Sequence, residues 1–153
     1  MNKKKKCAML AIAISAAACQ PGQSADTQTD VEYLNMPGIE GSGLPFSSAV
    51  RAGDTLYLSG VIGVTPGTLQ VPDTIEEEAR YAMEEIKTVL QAFGSSMDRV
   101  VKCTVFLADE TERDAFNAVY MSYFDKLPAR SGVTVKGLAL GAKAEVECIA
   151  IVD

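Results

Sequence analysis

The sequence predicts an α+β domain in which one β-sheet carries two helices on a single face. Three observations carry this expectation. Only two segments, closing near Gly94 and Pro128, combine helical periodicity with start and stop signals. Short runs of strand character precede, separate and follow them. The first two of those runs fold back on each other as a hairpin, an antiparallel start that argues against an alternating, parallel architecture. At 153 residues the chain has the length of one domain. With 48% hydrophobic and 22% charged residues it is a core-forming chain and not a disordered one.

The elements follow in order. Residues 32–48 hold Pro37, Gly38, Gly41, Gly43 and Pro45, an ordered lead-in and not a helix. Ser47 to Arg51, the turn Ala52-Gly53-Asp54, and Thr55 to Ser59 form the hairpin. In its second strand Leu56 and Leu58 share one face, Tyr57 and Ser59 the other. Gly60 to Pro72 is a loop by its glycines and prolines. Thr74 and Glu77 make a capping box, and Glu76, Glu77 and Glu78 sit where the helix dipole favours negative charge. Ile75, Ala79, Ala82, Met83, Ile86, Leu90 and Phe93 recur every three or four residues and mark a buried face, which Gly94 closes.

Val100 to Leu107 reads as a central strand. Thr111 and Asp114 are a weaker capping pair for the second helix. Its stripe is Phe116, Val119, Tyr120, Tyr123 and Leu127, with Pro128 at the exit. A strand from Gly132 to Lys136, a turn at Leu138 to Gly141 and a last strand from Ala142 to Val152 complete the order β-β-α-β-α-β-β. With both helices on one face, the other face needs cover, and self-association is its simplest source.

The first thirty residues read as an address. Lys3 to Lys6 precede an apolar stretch from Cys7 to Ala18, which is too short to span a bilayer. A charged start, a short apolar core and a run of small residues describe a secretory signal peptide over residues 1–18. Ala16-Ala17-Ala18-Cys19 resembles a bacterial lipobox, with Cys19 the lipidated residue. Ala16 stands where such boxes usually carry Leu, and ordinary small-residue cleavage nearby is the alternative. The expected location is therefore exported, as an envelope lipoprotein anchored to the membrane. Gln20 points to the outer membrane and a periplasm-facing domain. Residues 19–31 are polar, hold Pro21 and Gly22, and read as a tether. The folded domain is expected over 32–153.

Composition excludes much chemistry. Histidine is absent, which removes Ser-His-Asp triads, Cys-His pairs and the histidine-bearing zinc motifs. The four cysteines (7, 19, 103, 148) show no CxxC spacing, so no metal site is expected. Loss of the four N-terminal lysines leaves 10 basic against 20 acidic residues. So acidic a chain lacks the clustered cations that nucleic-acid binding needs.

Two residues stand out. Arg130, in Pro128-Ala129-Arg130-Ser131, sits between the second helix and a strand start, and its planar fork suits a carboxylate. Glu145 and Glu147 share one face of the last strand, where two acids need a partner or a solvated cavity. A surface ion pair and a solvent-facing strand side are the plainer readings of the two.

From about Gly43 to Asp153 the sequence resembles the RidA/YjgF family of reactive-intermediate imine/enamine deaminases. The resemblance is carried by Thr55-Leu56-Tyr57-Leu58-Ser59-Gly60, Val101-Lys102-Cys103-Thr104-Val105-Phe106-Leu107, Phe116-Asn117-Ala118-Val119-Tyr120, Pro128-Ala129-Arg130-Ser131 and Lys143-Ala144-Glu145-Val146-Glu147. It implies a chorismate-mutase-like homotrimer with sites in the clefts between subunits. It implies hydrolysis of 2-imino or 2-enamino acids to 2-keto acids and ammonia without a cofactor. It matches Arg130 to the arginine that clamps the substrate carboxylate and Glu145 to the glutamate that holds water. Ser59, Gly60 and Asn117 match residues lining the pocket.

Two positions depart from the family pattern. Phe46 stands where active members usually carry tyrosine, which keeps the ring and loses the hydroxyl. Gly132 stands where many carry cysteine, so the pocket is expected to be larger there and to suit a bulkier or more apolar imino acid. Cys103 and Cys148 are expected as free buried thiols, with a disulfide as the alternative in an exported protein. The competing functions are a non-catalytic carboxylate-binding trimer, which Phe46 favours, and an endoribonuclease, which the charge and the missing histidine oppose.

Overall fold

The computed structural model describes residues 29–39 and 41–152. The expected signal peptide, Cys19 and most of the expected tether lie outside the described residues. The strands are β1 (Val31–Leu34), β2 (Ala49–Ala52), β3 (Thr55–Leu58), β4 (Val61–Ile62), β5 (Val100–Leu107), β6 (Ala129–Thr134) and β7 (Ala144–Ile151). The helices are α1 (Ile75–Ala92) and α2 (Arg113–Met121). They form the expected α+β unit, one mixed sheet with two helices. Among the described residues no helix is long and apolar enough to cross a membrane.

The sheet runs β1-β2-β3-β7-β5-β6, with β4 also paired to β7. All pairs are antiparallel except β5 with β6. A parallel neighbour needs a crossover, and α2 supplies it between β5 and β6. β7 is the hub. It pairs with β3 through Ile149–Ile151, with β4 through Glu145 and Val146, and with β5 along its length.

Alternation along the central strands decides what lies on each side. Ala144, Val146, Cys148 and Ala150 of β7 are buried, as are Cys103, Val105 and Leu107 of β5. They face α1, whose Ile75, Ala79, Met83, Ile86 and Leu90 close the core. The residues between them, among them Glu145, Glu147, Thr104 and Phe106, point to the opposite side of the sheet. Among the described residues that side has no α-helix.

α1 starts as its sequence dictates. The Thr74 side chain accepts from the Glu77 amide at 3.3 Å. Glu78 sits in the acidic first turn as expected and has a further role. It is fully buried, and Oε1 accepts from the amides of Lys143 and Ala144 at 2.8 Å each. A second contact runs from the Lys143 amide to Oε2 at 3.1 Å. The helix thereby fixes the entry of β7. Burial pushes the Glu78 carboxyl up, and the two backbone bonds only partly oppose this.

Four expectations about the elements are corrected. Val31–Leu34 forms β1, not tether and lead-in, by pairing with β2. Val61–Ile62 inside the expected loop forms β4. α2 ends at Met121 and not near Leu127, and the Thr111–Asp114 pair does not cap it. Asp109 does that work one turn earlier, its carboxylate accepting from Thr111 at 2.9 Å ahead of a single 3₁₀ turn. β6 begins at Ala129, three residues before the expected Gly132, which puts Arg130 inside an edge strand.

The cysteine expectation is also corrected. Cys103 and Cys148 are register partners on β5 and β7, both facing the core, and they are joined as a disulfide. Directly opposed residues on one sheet face bring their side chains together.

Glu78→Ala strands two buried amides and is expected to lower unfolding free energy by about 3 kcal/mol in urea melts. Because the folded-state pKa of Glu78 is raised, its contribution is full below about 4.5 and is lost as pH rises through the folded value. Glu78→Gln should remove that component of the pH dependence. Alkylation of unfolded, unreduced protein should leave Cys103 and Cys148 unlabelled by mass spectrometry, and reduction should expose both.

Candidate carboxylate site at the sheet edge

Arg130 lies on β6 opposite Cys103 of β5 and therefore points to the helix side. α2 lies over it. The guanidinium Nη2 donates to Asn117 Oδ1 at 2.7 Å. Its Cζ stands 4.8 Å from the centroid of the Tyr120 ring. That ring is wedged between Phe116 and Phe124, with centroids 5.9 and 4.9 Å away. A planar cation held by an amide and an aromatic face loses little freedom when a ligand binds. Asn117, Tyr120, Met121, Leu127, Pro128 and Arg130 line a cavity of about 240 Å³. Burial pushes the Tyr120 phenol up, with Arg130 opposing.

The orientation of α2 is fixed from below. The Tyr123 hydroxyl donates to Glu84 of α1 at 2.9 Å. Burial, chiefly, and the Glu84 carboxylate push that phenol up to about 12.

Glu145 lies elsewhere. It faces the helix-free side of the sheet, so β5, β6 and β7 stand between it and Arg130 within one chain. Its carboxylate packs over the backbone of Gly60, where any Cβ would collide with it. Gly60 therefore has a packing reason to be glycine: it sits between β3 and β4, where the strand line along β7 breaks. Burial raises the Glu145 carboxyl above its ordinary 4.5, and Glu147 adds to the rise.

Ser59 and Phe46 belong to this second region. Ser59 Oγ donates to Ser47 O at 2.6 Å. Ser59 and the half-exposed Phe46 line one wide concavity with Tyr33, Asn35 and Leu44. The expected site residues thus form two groups. Arg130, Asn117 and Gly132 lie at the helix-covered edge; Glu145, Gly60, Ser59 and Phe46 lie about the open face and its loop.

The surroundings of Gly132 are basic. Arg113 Nη1 stands 3.2 Å from the point where a Cβ on Gly132 would lie. The space is bordered by a cation. Sequence reasoning missed Arg113, although it precedes Asn117 by four residues and Tyr120 by seven, one face of a helix. It also missed Tyr120 as a binding element, since that residue reads as core.

The fold and this edge define a class: single-sheet α+β subunits with a fixed guanidinium beneath the crossover helix. Residues 41–152 match the family model described as Endoribonuclease L-PSP, and the chain belongs to that family, the RidA/YjgF group. It is 44% identical over 106 residues to Protein HMF1 of Saccharomyces cerevisiae, covering 69% of this chain and 82% of that protein. It is 39% identical over 109 residues to the 2-iminobutanoate/2-iminopropanoate deaminase of Mus musculus, covering 70% and 81%. Among solved structures it resembles YEO7_yeast with a TM-score of 0.75 at 38% identity, covering 81% of this chain and all of that one. It resembles E. coli TdcF with bound serine at 0.69 and 31% identity, covering 79% and 94%.

The raised Glu145 carboxyl is directly measurable. Side-chain carboxyl carbon NMR should give a Glu145 midpoint above 4.5, and Glu147→Gln should lower it.

Proposed function

We propose that this chain hydrolyses reactive 2-imino acids, and their 2-enamino tautomers, to 2-keto acids and ammonia. The observation that carries the reading is the Arg130 guanidinium, locked by Asn117 and Tyr120 against a small cavity. A deaminase name on relatives at about 40% identity supports it. So does serine bound to TdcF, a small molecule bearing the same carboxylate handle.

The chemistry needs three things: an anion handle, a placed water, and a path for protons. Arg130 holds the substrate carboxylate and keeps its own proton. Water adds through oxygen to the imine carbon while Glu145 takes one of its protons. The nitrogen, once protonated, leaves as ammonia as the C–N bond breaks and the carbonyl forms. Carbon keeps its oxidation level, so no redox cofactor enters. A raised Glu145 carboxyl suits a group that must both take and return a proton.

Because Arg130 and Glu145 face opposite sides of one sheet, the reading requires that copies associate. In the proposed homotrimer Arg130 of one copy approaches Glu145 of the next. The exposed edge strand β6, and the exposed Tyr57, Val101 and Val133, favour such an assembly. Ser59, Gly60 and Phe46 would line the same cleft from the Glu145 side. An exported, lipid-anchored location through Cys19 belongs to the same proposal, and the disulfide supports an oxidising compartment.

A second reading is a carboxylate-binding trimer without catalysis. Phe46 favours it, since the ring there offers no hydroxyl to water or substrate. An acidic chain with no histidine gives no support to RNA cleavage.

The test generates 2-iminobutanoate in situ and follows its decay in competition with semicarbazide. Wild type should accelerate decay; Arg130→Ala and Glu145→Gln should each lose about 100-fold or more in kcat/KM. The acid limb of the wild-type pH profile should lie above 4.5, since Glu145 must be ionised to take a proton. Tight 2-oxobutanoate binding with no accelerated decay would establish the second reading instead.

A further inference from the structure

We propose that the Arg130 pocket selects 2-oxo and 2-imino acids bearing a second, distal carboxylate, and that Arg113 determines this specificity. The inference rests on the reading of Arg130 as the carboxylate handle.

Two guanidinium groups converge on one strand position that has no side chain. From the place a Cβ on Gly132 would occupy, Arg113 Nη1 is 3.2 Å away and Arg130 Nη2 is 4.0 Å away. Both arginines issue from fixed elements. Arg113 opens α2 and shares the helix face of Asn117 and Tyr120, the two residues that hold Arg130. Arg130 and Gly132 are two apart on β6 and point the same way. The backbone beneath the pair is exposed, so a ligand can reach it.

Neither guanidinium has an acidic partner among the described residues. Arg51, Arg80 and Lys87 each pair with a nearby glutamate. Arg113 has Glu110, Glu112 and Asp114 close in sequence and pairs with none of them. It also sits in the first turn of a helix, where the dipole disfavours a cation. Two like charges held together, in a chain with 20 acidic and 14 basic residues, are best relieved by a dianion. The α-carboxylate goes to Arg130; a carboxylate ending the substrate side chain goes to Arg113. An apolar side chain would instead lie against an unpaired guanidinium.

The test is calorimetric binding of 2-oxoglutarate and 2-oxopentanoate to the intact protein. The two differ only in a terminal carboxylate against a methyl. Wild type should bind 2-oxoglutarate at least about tenfold more tightly. Arg113→Ala should bring the ratio to about one or below, and Arg113→Lys should restore part of it. A thermal melt confirms that each variant is folded. Equal affinities in wild type, or a preference that survives Arg113→Ala, would overturn the proposal. So would inorganic phosphate that displaces 2-oxoglutarate at equal concentration, since the pair would then be a general anion site. Hydrolysis is scored separately on the matching imines. If neither imine is accelerated while the binding preference holds, the deaminase reading fails and the assignment of Arg113 stands. If hydrolysis proceeds without the preference, the reverse is true.

Discussion

Side-chain alternation on β7 is the constraint on which the rest of the structure depends. Val146 and Cys148 must face the core, because β7 is the middle of the sheet and its buried face meets α1. Glu145 then has no choice but the opposite side. β6, tied in parallel register to β5, sends Arg130 to the helix side by the same rule. The chain therefore holds the Arg130 guanidinium on one side of its sheet and the Glu145 carboxylate on the other. A one-residue slip of β7 would exchange core and surface along the whole strand, and two covalent or charged ties oppose it. The disulfide fastens Cys148 to β5, and Glu78 fastens the amides of Lys143 and Ala144 to α1.

The helix-covered edge shows how the pieces cooperate. α2 exists as a crossover, which a parallel β5–β6 pair demands. Its Asn117, Tyr120 and Met121 then line the Arg130 cavity. The anchoring of Tyr123 to Glu84 ties α2 to α1. In this way the same helix that closes the topology orients the guanidinium.

Much of this was legible in the residues, and the remainder fails for identifiable reasons. α1 was readable end to end because its cap, its acidic first turn, its apolar stripe and Gly94 agree. β5 is readable as a strand from its β-branched residues. The sequence makes α2 look longer than it is, because Tyr123 and Leu127 continue a helical spacing that the backbone abandons after Met121. β1 was hidden because Val31–Leu34 is short, mostly exposed and stabilised only by pairing with β2. The start of β6 is not legible because Ala129, Ser131 and Gly132 on an exposed edge carry no alternation. Arg130 and Glu145 were picked out by residue type and by the family resemblance, but their placement on opposite sides depends on register across three strands. The choice between free thiols and a Cys103–Cys148 bond, and the approach of Arg113 to Gly132, turn on the same register, since each joins elements distant in sequence.

The central claim is that a competent site takes Arg130 from one copy and Glu145 from another. Subunit mixing tests it most directly. Arg130→Ala and Glu145→Gln chains, each inactive alone, are co-refolded in equal amounts and assayed on 2-iminobutanoate. If neighbours share each site in a closed ring, random assembly gives about a quarter of the wild-type activity. Mixed oligomers that stay as inactive as either parent would contradict the account.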